Sequence, residues 1–290
     1  MKSYYRKAVS LFESPQTPNY DVECLKTIEA GLASDPANDD LKALLLEVKE
    51  QHDADHLINV QAEEKDRFER MFKWMKDDGA KFDKLKMRYY GPDYRGVHAA
   101  RDIKKGEIIL YVPKQEIITL EMAMESPIGA LMASKNMRHR LLSPKHSFLS
   151  CFIMQEKRKP HSYFKDFIDI LPKNFTNFPI FYTVEERAWL EGSAMQNVIT
   201  DKIKDIATDY NTICTEVPEF KQFSIKEYSE MRMMVCSRIF GISINGVKTD
   251  GFVAYADMLN HQRPKETQWS YSDEREGFII EATDDIKRGQ

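Results

Sequence analysis

The stretch "ADMLNH", residues 256–261, places an acid, an amide and an imidazole close together, directly after the apolar run Gly251-Phe252-Val253-Ala254-Tyr255 and before the polar stretch from Gln262 to Glu266. Asn260 carries donors and an acceptor, so at a strand end it can hold an amine and a purine edge equally well. A turn with a satisfied amide and a surface histidine accounts for the same letters. His261 has the chemistry of a general base, yet no serine or cysteine nucleophile is recognisably paired with it in the sequence. Upstream, Met231, Val235 and Arg238 fall on one helical face at spacings of four and three. An arginine continuing an apolar stripe is costly unless an anion meets it. Two partners are open: Asp257 in a buried ion pair, and the carboxylate of a ligand. His52 and His56 in "HDADH" also share a helical face, as a metal site requires, but no further ligand accompanies them and a solvated helix end explains the same letters.

These residues need a strand, a helix and a turn to position them. Ser224 with Glu227 forms a capping box that opens the helix carrying Arg238, and Thr183 with Glu186 forms another before an apolar-periodic segment. Between the boxes Ile199, Ile203, Ile206, Tyr210 and Ile213 recur by four and three. From Lys86 to Thr119 the periodicity shortens, with turns at Gly91-Pro92, Gly96 and Lys105-Gly106, which predicts three or four short antiparallel strands. Residues 120–240 return to helices, and strands resume after Gly241. The order strand-rich, helical, strand-rich reads as one α+β domain, residues 61–290, interrupted by a long helical insertion at about 120–240.

Residues 1–60 differ in character. Val22, Leu25, Ile28 and Leu32 mark one helix, "SDPAND" breaks it, and Leu41, Leu44, Leu45 and Val48 mark a second that Asn38 or Asp39 can cap. The pair forms an N-terminal helical hairpin. Its turn "GLASDPAND" resembles the inter-repeat turn of tetratricopeptide arrays over about one and a half repeats, which implies docking on the rest of the chain or assembly with a protein partner. A further helix carries Phe68, Met71, Phe72 and Met75.

Across 290 residues, 42% hydrophobic and 30% charged, the net charge is −4. That balance supplies no field for a phosphate backbone, and the compact basic run Lys157-Arg158-Lys159 reads as a solvated helix end. Cys24, Cys151, Cys214 and Cys236 form no C-x-x-C pair, so neither a zinc cluster nor a disulfide framework is expected, and the compartment is a reducing one. No signal peptide or run of about 18 apolar residues occurs. The expectation is cytoplasm or nucleus, with no nucleic acid, membrane or metal involved.

"DYRGVHAARDIKKGEIILYVP", a helical insertion, "MMVCSRIFGI", and "FVAYADMLNH" followed by "WSYSDEREGFIIEATDDIKRG" together resemble a SET domain in this order. More narrowly they resemble the class typified by the Rubisco large-subunit methyltransferase, which acts on non-histone proteins. The resemblance covers about residues 65–290 and implies protein-lysine N-methylation with S-adenosylmethionine as cofactor. It implies a cofactor turn at Asp93, Tyr94 and Arg95, where Tyr94 replaces a glycine common in the family. Arg238 is implied to face the cofactor carboxylate, Asp257 to line the site, and Asn260 with His261 to hold the adenine and methionine amino end. Ala254 stands where proline is common. Phe240 and Tyr271 are candidate walls of a lysine channel, and core packing explains them as well. The catalytic tyrosine of the class follows "D-I-x-x-G", so it is expected beyond Gln290, in a natural chain that continues. The alternative is a catalytically inactive SET-fold scaffold that joins a larger assembly.

Overall fold

The computed structural model describes the backbone of residues 2–12, 20–91 and 94–290, with side chains described outside 2–3, 20–22, 50–63, 89–91 and 94. The chain divides into two compact units, Met1–Lys65 and Asp66–Gln290. Among the described residues the first stretch holds three helices: α1 (Lys2–Phe12), α2 (Tyr20–Ser34) and α3 (Asp39–Asp77), the last continuing across the boundary. Helices α2 and α3 are joined by a short turn at residues 35–38. Asn38 supplies the cap, its side-chain oxygen accepting from the Leu41 amide at 3.0 Å. Ala8, Cys24, Ile28, Leu41, Leu44 and Val48 form the small core of this unit. Gly31 permits the close approach, because a Cβ there would lie 2.7 Å from Leu41 Cδ1 and 3.1 Å from Tyr4 Cβ. Helix α1 was not anticipated, and the two separate helices expected between Asp40 and Met75 are one. His52 and His56 lie within that helix, with their side chains outside the described ones.

In the second unit the strands are β1 (Leu85–Gly91), β2 (Tyr94–Ala99), β3 (Ile108–Pro113), β4 (Ile117–Thr119), β5 (Ile239–Ile244), β6 (Val247–Val253), β7 (Thr267–Ser272) and β8 (Gly277–Ala282). They form a β1-β2 hairpin and two three-stranded sheets of order β3-β8-β7 and β4-β6-β5. Strands from before and after the helical insertion therefore pair directly, as in the Val112–Phe278 and Ile118–Phe252 registers. The insertion holds α4 (Leu120–Glu125), α5 (Pro127–Ser134), α6 (Met137–Arg140), α7 (Pro144–Arg158), α8 (Lys165–Asp169), α9 (Val184–Ala188), α10 (Ala194–Glu216) and α11 (Ile225–Arg238).

Both capping boxes form, Thr183 with Glu186 at α9 and Ser224 with Glu227 at α11. On α10 the predicted stripe is the buried one, with Ile199, Ile206 and Ile213 inside. A buried polar knot then fixes α11. Asp209 on α10 accepts from the Leu142 and Ser143 amides at 2.7 and 3.1 Å and from Ser147 Oγ at 3.2 Å. Tyr228 of α11 donates its hydroxyl to Ser147 Oγ at 2.9 Å, so α7, α10 and α11 share one hydrogen-bonded network. The last turn of α11 carries Arg238.

Candidate functional site

Arg238 ends α11 where the helix dipole favours a cation, and it points at the short turn Ala256–Met258 that follows β6. Its Nη1 donates to Asp257 Oδ2 at 2.8 Å and to the Asp257 carbonyl at 3.1 Å, with Met258 Sδ at 3.7 Å. The Asp257 side chain is fully buried and that of Arg238 is 22% exposed. Of the two partners left open by the sequence, the protein thus supplies one itself. All of these bonds use Nη1. Nε and Nη2 of Arg238 make no protein hydrogen bond among the described residues, and Asp257 Oδ1, although buried, also lacks a donor there. A buried acceptor without a donor is unfavourable in a closed protein and suits a site completed by a ligand or water.

A second guanidinium converges on the same turn. Arg95 of β2 reaches Met258 Sδ at 4.0 Å and makes a long contact of 3.5 Å to the Ile170 carbonyl, while its guanidinium lies 4.9 Å from the centre of the Phe68 ring. Burial holds the Asp257 carboxyl above its usual range, and Arg238 with Arg95 offset that only in part.

Tyr255 aims this turn. Its backbone has φ 65° and ψ −35°, and across it the Ala256 amide donates to the Ala254 carbonyl at 2.8 Å, which makes a γ-turn of the strained hand. The ring is buried edge-on to Phe72 at 4.9 Å and Phe82 at 5.3 Å. Packing from α3 and from the segment before β1 thereby holds a conformation that a tyrosine backbone disfavours. For the same reason β6 stops at Val253, two residues before the apolar run itself ends.

The other predicted positions are more dispersed. Asn260 and His261 are exposed in the loop after the turn, in sequence beside Asp257. Phe240, on β5 two residues after Arg238, stands edge-on to Trp269 at 5.5 Å and Phe278 at 5.0 Å. Tyr271 is half-buried on β7, in register with Phe278, so Phe278 links the two candidate channel residues. Burial first, then Asp273 and Glu276, raise the Tyr271 hydroxyl pKa. Tyr94 sits in β2 opposite Gly91, and Asp93 lies outside the described residues. Phe68, Tyr255 and Met258 belong to the arrangement and were not singled out for it. Phe68 had a helical core spacing as its signal, and Met258 had none.

The chain is 25% identical over 154 residues to the actin-histidine N-methyltransferases of Callithrix jacchus and Homo sapiens, covering 53% of this chain and 25% of each relative. Against the Mus musculus protein of the same name it is 25% identical over 187 residues, covering 62% and 31%. The chain thus spans about a quarter to a third of the length of the curated relatives it matches. Among solved structures, the SET domain of LSMT bound to lysine and AdoHcy superposes with a TM-score of 0.65 at 19% identity, covering 78% of this chain and 52% of that one. Rubisco LSMT bound to AdoMet gives 0.62 at 20% identity, covering 77% and 51%. At such identities these structures establish the fold. The SET domain family model matches residues 94–290, more than half of the sequence, and the chain belongs to the SET domain family.

Proposed function

We propose that this chain carries the cofactor-binding part of an S-adenosylmethionine-dependent methyltransferase that modifies lysine on a non-histone protein. The observation that carries the reading is the half-used ion pair: Arg238 spends Nη1 on Asp257 and keeps two donor nitrogens, beside a buried carboxylate oxygen that lacks a donor. Those spare groups match a ligand end bearing both a carboxylate and an ammonium, which is what the methionine portion of S-adenosylmethionine presents. Arg238 would bind the carboxylate, Asp257 would orient the amine side, and Asn260 with His261 would hold the adenine and amino end. Bound there, the cofactor supplies an electrophilic methyl group on a sulfonium. The residues of this chain then have to align an amine in line with that carbon and exclude water.

Lysine is favoured over histidine by Phe240. Its ring packs among Trp269 and Phe278 and offers no hydrogen bond to an imidazole, whereas it can line an aliphatic stem. The relatives named above are histidine methyltransferases, so the residue methylated is a point of difference between this reading and theirs. The N-terminal unit is a candidate surface for joining a larger assembly.

Calorimetric titration with S-adenosylmethionine tests the site. Binding should weaken in Asn260→Ala by about 1–3 kcal/mol, the cost of leaving unpaired the cofactor groups that Asn260 meets in the bound state. An unchanged affinity would mean the site lies elsewhere, and no binding by the unaltered protein would favour the scaffold reading. Mass spectrometry of methylated targets decides the acceptor, with product on histidine alone removing the argument from Phe240.

A further inference from the structure

The chain is acidic overall, yet from Ser126 through Gln155 it contains no Asp or Glu, while Lys135, Arg138, Arg140 and Lys145 fall inside that span. The fold gathers the first three of these at one corner of the helical insertion. Lys135 closes α5, its amide donating to the Leu131 carbonyl at 3.3 Å, and Asn136 then turns the chain with φ 58° into α6. Arg140, in α6, reaches back to the Lys135 carbonyl at 3.4 Å, so the two ends of the corner lie against each other. Arg140 and Lys145 have acidic partners, Glu216 at 2.8 Å and Asp250 at 3.0 Å. Among the described residues Lys135 and Arg138 have none, and both are exposed together with His139.

Two leucines accompany this charge. Leu142 is 57% exposed and Leu131 38% exposed, although the buried Met137 and Leu141 between them show that the corner has an inner face available for apolar side chains. A solvated basic helix end needs no such leucines. We infer that this corner is a docking surface for an acidic segment of a protein partner, one that sets carboxylates against Lys135, Arg138 and His139 and lays apolar side chains on Leu131 and Leu142. A nucleic acid fits less well: its continuous run of phosphates needs more unpaired cations than Lys135 and Arg138 supply, and it offers no aliphatic side chains to cover the leucines. Exposed ion pairs taken singly contribute little, so several charges with an apolar anchor are what give such a surface both selectivity and affinity. The inference is independent of methyl transfer. It was missed in the sequence because the cations are not consecutive and come together only through the turn at Asn136.

The test uses the whole chain and three fluorescein-labelled probes in about 150 mM salt. These are a fifteen-residue peptide of alternating acidic and Leu/Phe residues, a polyglutamate peptide of equal length, and a single-stranded oligonucleotide. Fluorescence anisotropy should show saturable binding of the first, about tenfold weaker binding of the second, and the weakest binding of the third. The double variant Lys135→Glu/Arg138→Glu should weaken the first by more than about tenfold, and Leu142→Ser by about threefold or more, with melting temperatures within a few degrees of the parent. Absence of saturable binding below about 100 μM would overturn the inference. So would an affinity indifferent to the double charge reversal, and so would tighter binding of the oligonucleotide, which would reassign the corner to nucleic acid.

Discussion

Arg238 and Asp257 are a partly desolvated pair, and such pairs are revealing when only one member is removed. Arg238→Met leaves a fully buried carboxylate facing Met258, so we expect a loss of about 3 kcal/mol in urea unfolding. Adding Asp257→Asn removes the stranded charge, and the double variant should recover about 1 kcal/mol or more relative to the single one. Strict additivity of the two changes would show that the pair is not coupled. The pair was legible in the sequence because an arginine on an apolar helical stripe demands an anion. Arg95 stacking on Phe68, and Met258 set between two guanidinium groups, were not legible, since nothing local in residues 68, 95 and 258 reports that they meet.

Among the elements, the turn at Tyr255 makes an unusual demand. In most positions glycine is less stable than alanine, because it loses more backbone freedom on folding. At φ 65° the order should invert, since a left-handed backbone penalises any Cβ by about 1–2 kcal/mol. Tyr255→Ala and Tyr255→Gly both lose the ring packed on Phe72 and Phe82, so the ring cancels between them. Denaturation midpoints should place the glycine variant above the alanine one, and the reverse order would remove strain from the account of this turn. Helix starts were readable because a capping box is a local interaction between residues three apart, as Ser224 and Glu227 show. The end of β6 was not readable, because the rings that pack on Tyr255, those of Phe72 and Phe82, lie far from it in the sequence. The stretch between Val48 and Phe68 concealed the continuity of α3 in the same way, because it is polar apart from Ala54, Leu57, Ile58, Val60 and Ala62 and sustains no apolar stripe.

For the molecule as a whole, Glu116 sets a pH dependence. It lies in the short turn Lys114–Glu116 between β3 and β4, is fully buried, and has neither carboxyl oxygen hydrogen-bonded among the described residues. Burial, with Asp78 adding to it, pushes its pKa up to about 9. The unfolded chain would ionise this group near 4.5, so between about pH 4.5 and 9 the folded state holds a proton that the unfolded state has released. Its contribution to stability is therefore complete below that window and is lost as pH rises through it, by at most about 1.4 kcal/mol per pH unit. Glu116→Gln should flatten the decline in unfolding free energy between pH 5 and 9, and an undiminished decline would assign it to other groups. At this scale the alternation of strand-rich and helical stretches was plain in the sequence, but which strands pair was not, because partners lie on opposite sides of the insertion. That separation has a consequence in time. During synthesis β3 emerges with its apolar residues Ile109, Leu110 and Val112, and its partner β8 begins only at Gly277. At about 5–20 residues per second the edge of β3 waits on the order of ten to thirty seconds for the strand that completes it. The insertion that positions Arg238 thus also obliges the nascent chain to carry an unpaired apolar edge until the strands that follow the insertion have been made.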